Sequence, residues 1–302
     1  MRLIEGFAKR REGLIGARIL RVGFASIMLW FYLSHFRFQA VLWGPDGQLD
    51  YATYLQTPQF GVAPLYRILG AEWFDVAVLI GSIVVTIAYL AGVFPRVSGI
   101  LFVLATMASV DRNPSSVDAG QNLIVLLSSL LIFADTGRLS LGLELPANEY
   151  RTRAATMLHN ASRFLVIWQM ANVYFWAAYF KLCGEAWRSG AALRYVLGLE
   201  RLMPFPAISH ALIENGLLIA VLTYTTLAVQ LLFPFMIWIR PLKPIAVCAA
   251  VVLHTGIALL MGLWSFSLTM IVAEVALLTD AQLKGLARVL RLQPSLFRSS
   301  SN

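Results

Sequence analysis

Three ionisable residues interrupt long apolar stretches of this sequence in ways that invite chemistry. Lys181 closes the run Val173-Tyr-Phe-Trp-Ala-Ala-Tyr-Phe-Lys-Leu-Cys-Gly-Glu-Ala-Trp187, which is dense in aromatic residues and holds no acid before Glu185. An ammonium in such surroundings is partly desolvated, which lowers a lysine pKa and makes a neutral amine, a usable general base, more accessible. A lysine that snorkels from a helix end accounts for the same position without any reactivity. His254 and Glu274 stand in two successive apolar segments, where an ionisable group is costly enough to need a partner or a role. A hydrogen-bonded pair that fixes helix register and a pair that handles protons both account for them. Tyr174, Trp176, Tyr179, Phe180 and Trp187 offer aromatic walls for an apolar pocket, although Trp and Tyr also gather at membrane interfaces for structural reasons. Cys183 and Cys248 match no metal-ligand spacing and are read as packing residues.

The scaffold that must position these groups is legible in the composition. Hydrophobic residues make up 59% of the 302 and charged residues only 13%, and the mean hydropathy is +0.71. A soluble domain is excluded by that balance. The net charge of +8 does not point to nucleic acid, because the arginines stand singly between apolar stretches instead of forming one basic face. The lipid bilayer is the partner these features imply. Segments of near-spanning length are Ala17–Phe36, Asp75–Phe94, Val97–Val110, Gly120–Ala134, Phe164–Phe180, Leu217–Trp238, Pro244–Leu260 and Leu263–Leu278. Each is predicted helical, because lipid cannot satisfy exposed backbone groups and none alternates like a barrel strand. The expected fold is all-α, a polytopic transmembrane helical bundle of about eight spans forming a single domain over the whole chain.

Charge sets the orientation. Lys9, Arg10 and Arg11 precede the first span, which reads as a retained signal anchor. With a cytoplasmic amino terminus, only Arg37, Arg67, Arg112, Lys181, Arg188, Arg194 and Arg201 of the 24 basic residues fall outside. The positive-inside rule therefore predicts that both termini are cytoplasmic. Met261 and Gly262 must then form a very tight hairpin. One long bent helix, giving seven spans and an external carboxyl terminus, is the alternative, and the basic tail at Lys284, Arg288, Arg291 and Arg298 favours the hairpin. His254 and Glu274 each lie about ten residues into their spans, near the midplane, where antiparallel neighbours would meet. Two outer connections are long enough to fold. The first, Arg37 to Phe74, carries the turn signal Trp43-Gly-Pro-Asp-Gly47. The second, Glu185 to Met203, spaces Ala192, Tyr195, Val196, Leu199, Leu202 and Met203 as an amphipathic interfacial helix, a cap on the bundle or a partner-binding surface.

The segment Tyr179-Phe-Lys-Leu-Cys-Gly-Glu-Ala-Trp-Arg-Ser-Gly-Ala-Ala-Leu193 resembles a signature of vitamin K-dependent gamma-carboxylase-like proteins, whose bacterial relatives are grouped as horizontally transferred transmembrane (HTTM) domain proteins. Gly120-Gln-Asn-Leu leading to Phe133 and Ser140-Leu, and His254 leading to Phe266-Ser-Leu-Thr-Met270, agree in order, so the resemblance runs from the first span to the eighth. It implies that Lys181 matches the base that deprotonates reduced vitamin K, that His254 assists, and that the cofactor is a reduced quinone or vitamin K-like lipid. It also implies a bacterial plasma membrane. Two departures stand out. Gln121 replaces the acid of the bacterial pattern, and the chain ends soon after the membrane region, so carboxylation of a protein would need a partner. Some relatives imply a second role, a membrane component for export or maturation of a secreted toxin peptide, working with a soluble protein partner. A passive transporter is a third reading, for which the sequence shows no inverted repeat.

Overall fold

The structure is a computed structural model that describes residues 11–57, 74–137 and 149–289, and every regular element among them is a helix. Lys9, Arg10, Arg67, Arg138, Ser140, Arg291 and Arg298 lie outside the described residues. The main helices are α1 (Leu14–His35), α2 (Phe74–Ala91), α3 (Pro95–Arg112), α4 (Ala119–Leu131), α5 (Glu149–Cys183), α6 (Pro206–Glu214), α7 (Gly216–Met236), α8 (Lys243–Met261), α9 (Trp264–Ala276) and α10 (Asp280–Val289). A helix occupies each apolar segment of the sequence. Among the described residues, Leu14–Leu42, Gly216–Met236 and Lys243–Met261 are long and apolar enough to cross a membrane alone, and Trp264–Ala276 with Asp280–Val289 passes as a pair bent by 112°. The protein is thus membrane-embedded, with three or four such spans among the described residues. The shorter helices fall below that length, since the 13 residues of α4 or of α9 reach only about 20 Å against a core of about 30 Å. The chain divides into two compact units, Met1–Arg163 and Phe164–Asn302.

In the first unit α1 packs on α2 and α4, and α3 packs on both of those. Two arginines read above only by their side of the membrane, Arg21 inside and Arg112 outside, are buried here as clamps. Arg21 donates to the carbonyls of Tyr89 (2.6 Å), Leu90 (2.7 Å) and Thr136 (3.3 Å). The first two lie in the last turn of α2, where carbonyls lack the regular i+4 donor, and Tyr89 O also accepts from Gly92 N–H at 3.1 Å. Gly92 follows at φ 75°, and a Cβ there would meet the Arg21 guanidinium at 2.9 Å, so glycine is required for conformation and space alike. Arg112 donates to Gly44 O (2.5 Å) and Leu49 O (2.7 Å) and lies 5.1 Å from the Tyr54 ring centroid. It holds the Trp43–Gly47 turn, closed by Gly47 N–H on Gly44 O at 3.1 Å. At the start of α4, Asp118 caps Gly120 N–H and Gln121 Oε1 accepts from Asp118 N–H at 2.9 Å. Gln121 is buried, and a capping box uses glutamine as readily as glutamate. The departure from the family pattern therefore leaves this acceptor in place.

In the second unit α7, α8 and α9 are successive neighbours. Gly262, at φ 69°, ends α8 in the left-handed conformation, and α9 starts two residues later. The tight hairpin forms: Lys243 Nζ, at the start of α8, donates to Leu277 O just past the end of α9, 3.3 Å away. The expected single helix over Glu185 to Met203 is instead three short pieces, Glu185–Arg188, Ala192–Leu197 and Glu200–Leu202. Gly190 at φ 77° and Gly198 fall at the breaks, because glycine ends a short helix more easily than it continues one. Cys183 and Cys248 are free and exposed, which corrects their reading as packing residues.

Candidate functional site

Three helices of the second unit each contribute one polar side chain to a buried cluster: α5 gives Tyr174, α8 gives His254 and α9 gives Glu274. The α8–α9 hairpin brings His254 Nδ1 to 2.8 Å from Glu274 Oε1, with both side chains removed from solvent (3% and 0% exposed). Tyr174 Oη donates to the same Oε1 at 2.5 Å and lies 3.3 Å from His254 Nδ1. That nitrogen also faces Ala250 O at 3.1 Å. Two acceptors around Nδ1 fix the tautomer, because only a protonated Nδ1 makes both contacts favourable. Glu274 Oε1 therefore receives two donors, the pattern of a carboxylate. Among the described residues its Oε2 is buried without a hydrogen-bond partner, which is costly unless a proton or a ligand group engages it.

The wall behind Tyr174 is α7. Phe233 stacks on the tyrosine ring at 3.8 Å, and Pro234 lies inside the same helix. Proline has no N–H to offer the carbonyl of Gln230, four residues earlier. The Gln230 side chain is buried too, and among the described residues its Oε1 has no partner. Neither Gln230 nor the place of Tyr174 in the cluster was predicted. The signal for Gln230 was present, since it is an amide one turn before a proline in a strongly apolar helix.

Lys181 is not part of this cluster. It lies two turns beyond Tyr174 on the same face of α5, about 10 Å further along the axis. Its Nζ is 5.0 Å from the centroid of the Trp187 ring, and among the described residues no acceptor or carboxylate pairs with it. It stands past Phe180, outside the apolar segment, and burial lowers its pKa from the ordinary lysine value. The aromatic set expected to line one pocket is divided. Tyr174 is buried, whereas Trp176, Tyr179 and Phe180 point out of the opposite face of α5, Phe180 being 67% exposed. They form a surface group, Trp176 stacking on Phe180 at 5.7 Å. Only Trp187 accompanies Lys181.

A second buried histidine, His159, sits in the part of α5 that belongs to the first unit. Its Nε2 donates to Glu12 O at 2.9 Å and its Nδ1 accepts from Asp135 N–H at 3.0 Å. Arg11 pairs with Asp135 beside it, and Arg163 reaches Glu12 at 3.3 Å. Burial lowers the His159 pKa, and it lies before the apolar part of the helix. Among the described residues, no group of His, Cys, Asp and Glu is placed to hold a metal ion.

No curated protein and no solved structure matches the chain. A family model, HTTM domain, matches residues 15–281. Because that match runs from the start of α1 to the start of α10 and takes in Tyr174, Lys181, His254 and Glu274 alike, the chain belongs to the HTTM domain family of membrane proteins.

Proposed function

We propose that this protein is a membrane enzyme of gamma-carboxylase-like type, in which Lys181 takes a proton from a lipid-soluble, quinol-type substrate or cofactor. The observation that carries the reading is the state of Lys181: partly buried, its pKa lowered, and without a carboxylate partner among the described residues. An amine paired with an acid stays protonated; this one has no such pair. The residues fit a quinol at its polar end. Lys181 and Trp187 would hold the hydroxyl and one ring face, whereas Trp176, Tyr179 and Phe180 face away and take no part. When bound, such a group supplies an acidic hydroxyl and reducing equivalents. Lys181 Nζ accepts the proton, and the ammonium that results gains from the Trp187 ring face, worth about 0.5–2 kcal/mol. Tyr174, His254 and Glu274, deeper on the same side of α5, fix that helix to α8 and α9 and hold protons that can be exchanged.

Eight crossings, in a plasma membrane and with both termini cytoplasmic, belong to the same proposal. The shorter helices would cross with support from their neighbours. After replacement of Cys183 and Cys248, both exposed, a cysteine at Ser115 should react with an impermeant thiol reagent from outside and one at Val97 should not. The reverse pattern overturns the orientation.

The chemical reading is tested on protein purified in mild detergent. Organic extraction followed by mass spectrometry should give about one quinone per chain. Lys181→Arg should keep membrane insertion and lose quinol-dependent turnover by about 100-fold or more, because guanidinium stays protonated. A co-purifying soluble protein with no quinone would replace this reading with the peptide-maturation role, and full turnover in Lys181→Arg would remove the lysine from the chemistry.

A further inference from the structure

The last described helix, α10, is set at 112° to α9, so it does not prolong the direction of the hairpin that carries Glu274. Its sequence, Asp280-Ala-Gln-Leu-Lys-Gly-Leu-Ala-Arg-Val289, sorts onto three faces at about 100° per residue. Leu283 and Ala287 form the first face and are buried against the protein. Leu286 and Val289 form the second, and they are 42% and 80% exposed. Lys284 and Arg288 form the third, about 150° from the exposed apolar pair by the same rotation. The protein-facing side lies between these two flanks. A helix lying flat at a bilayer surface, held to its protein from the side, has this arrangement, with one flank toward the acyl chains and the other toward the headgroups and water.

The polar residue on the apolar flank is Gln282, and protein groups take up its hydrogen bonds. Gln282 Oε1 accepts from Thr279 N–H at 2.9 Å, its backbone N–H donates to Thr279 Oγ1 at 3.3 Å, and its Nε2 donates to Arg240 O at 3.1 Å. The last bond ties α10 to the connection between α7 and α8. That connection brings a third cation, Arg240, and the exposed residues Trp238 and Ile239 to the same end of the unit. Asp280 is an acid on the basic flank, but it occupies the helix N-terminus, where a carboxylate is favoured by the helix itself.

We infer that α10 is a membrane-surface helix whose partner is the anionic phospholipid bilayer, with Leu286 and Val289 among the acyl chains and Lys284, Arg288 and Arg240 on phosphate headgroups. Opposite-sign charge and an apolar flank of suitable direction both favour that occupant. The inference is independent of the chemistry at Lys181.

Two measurements on the full chain test it. Single cysteines at Val289 or Arg288, introduced after Cys183 and Cys248 are replaced, are labelled with an environment-sensitive fluorophore in vesicles of phosphatidylcholine and phosphatidylglycerol. The label at 289 should be quenched by nitroxide on lipid acyl chains several-fold more than the label at 288, and aqueous iodide should give the opposite order. Equal quenching by iodide at both positions overturns the surface placement. In the unlabelled native chain, amide hydrogen exchange over 280–289 should slow several-fold when phosphatidylglycerol is added to phosphatidylcholine vesicles. Lys284→Gln with Arg288→Gln should abolish that dependence. Exchange that is the same in both lipid mixtures overturns the headgroup recognition.

Discussion

The molecule contains two buried histidines, and their surroundings differ in kind. His159 in the first unit bonds at each ring nitrogen to a backbone group, the Asp135 N–H and the Glu12 carbonyl. Backbone groups neither gain nor lose protons, so this imidazole has one tautomer and one job, joining the chain before α1 to the turn after α4. His254 in the second unit shares a single carboxylate oxygen with a tyrosine hydroxyl. Every member of that cluster is a titratable side chain, and among the described residues one Glu274 oxygen has no hydrogen-bond partner. Burial alone therefore does not mark a reactive histidine. What distinguishes the two is whether the partners are titratable side chains or peptide groups.

The largest expected effect separates the regions by rescue. His254→Leu leaves Glu274 buried with one donor fewer and should cost about 3–5 kcal/mol of stability, whereas adding Glu274→Leu removes the stranded carboxyl and should return much of that loss. Thermal unfolding of the two single variants and the double variant in detergent should give a coupling above about 1 kcal/mol. Purely additive effects would mean that the contact contributes nothing. The first unit offers no such rescue. His159→Leu strands a backbone N–H and a backbone C=O, at a cost of about 1–3 kcal/mol, and no second side-chain replacement removes them.

Much of this was legible in the sequence, and the rest was hidden for definable reasons. The apolar runs located the helices, because a membrane solvent demands them, and the spacing of His254 and Glu274 about the Met261–Gly262 turn placed them opposite one another. Tyr174 was hidden in a crowd. Between Tyr174 and Phe180 aromatic residues occur on every face of α5, so composition could not say which pointed inward. His159 gave no signal at all, since its partners are peptide groups, which have no residue identity. In the outer segment the apolar spacing predicted one helix, yet Gly190 and Gly198 fall at the breaks between three short pieces, a local preference that overrode periodicity. Arg21 and Arg112 were read from their side of the membrane, whereas their carbonyl partners depend on loops that the spacing does not specify.

A smaller effect follows from pH. Burial lowers the His159 pKa, so the folded state favours the neutral ring, while the unfolded chain takes up a proton near pH 6.5. The contribution of His159 is thus fully present above that pH and is lost as pH falls through the lower, folded value, by at most about 1.4 kcal/mol per pH unit. Melting measured across this range should show a steeper acid-side loss in the native chain than in His159→Gln, which retains a donor and an acceptor without titrating. Identical slopes would show that the imidazole is not held neutral, and the contrast between the two histidines would lose its first half.

The smallest effect sharpens the contrast most, because it removes a single proton donor from the second region and leaves its shape. Tyr174→Phe keeps the ring that stacks on Phe233 at 3.8 Å and deletes the hydroxyl that reaches Glu274 Oε1 at 2.5 Å. Glu274 still has His254, so the loss should be about 1 kcal/mol, the usual net value of one hydrogen bond. Stability alone would not distinguish this from minor repacking. The carboxylate stretches of Glu274 would, because donors on Oε1 alone make its two C–O bonds unequal, and removing one should narrow the splitting between the bands, which are assigned by their disappearance in Glu274→Gln. Combining Tyr174→Phe with His254→Leu should then cost more than the sum of the two, since each single variant leaves Oε1 one donor and the double variant leaves none. An unchanged splitting, or strict additivity, would mean that Tyr174 packs beside the carboxylate without donating to it, and the open oxygen would lose its claim to be part of a shared proton site.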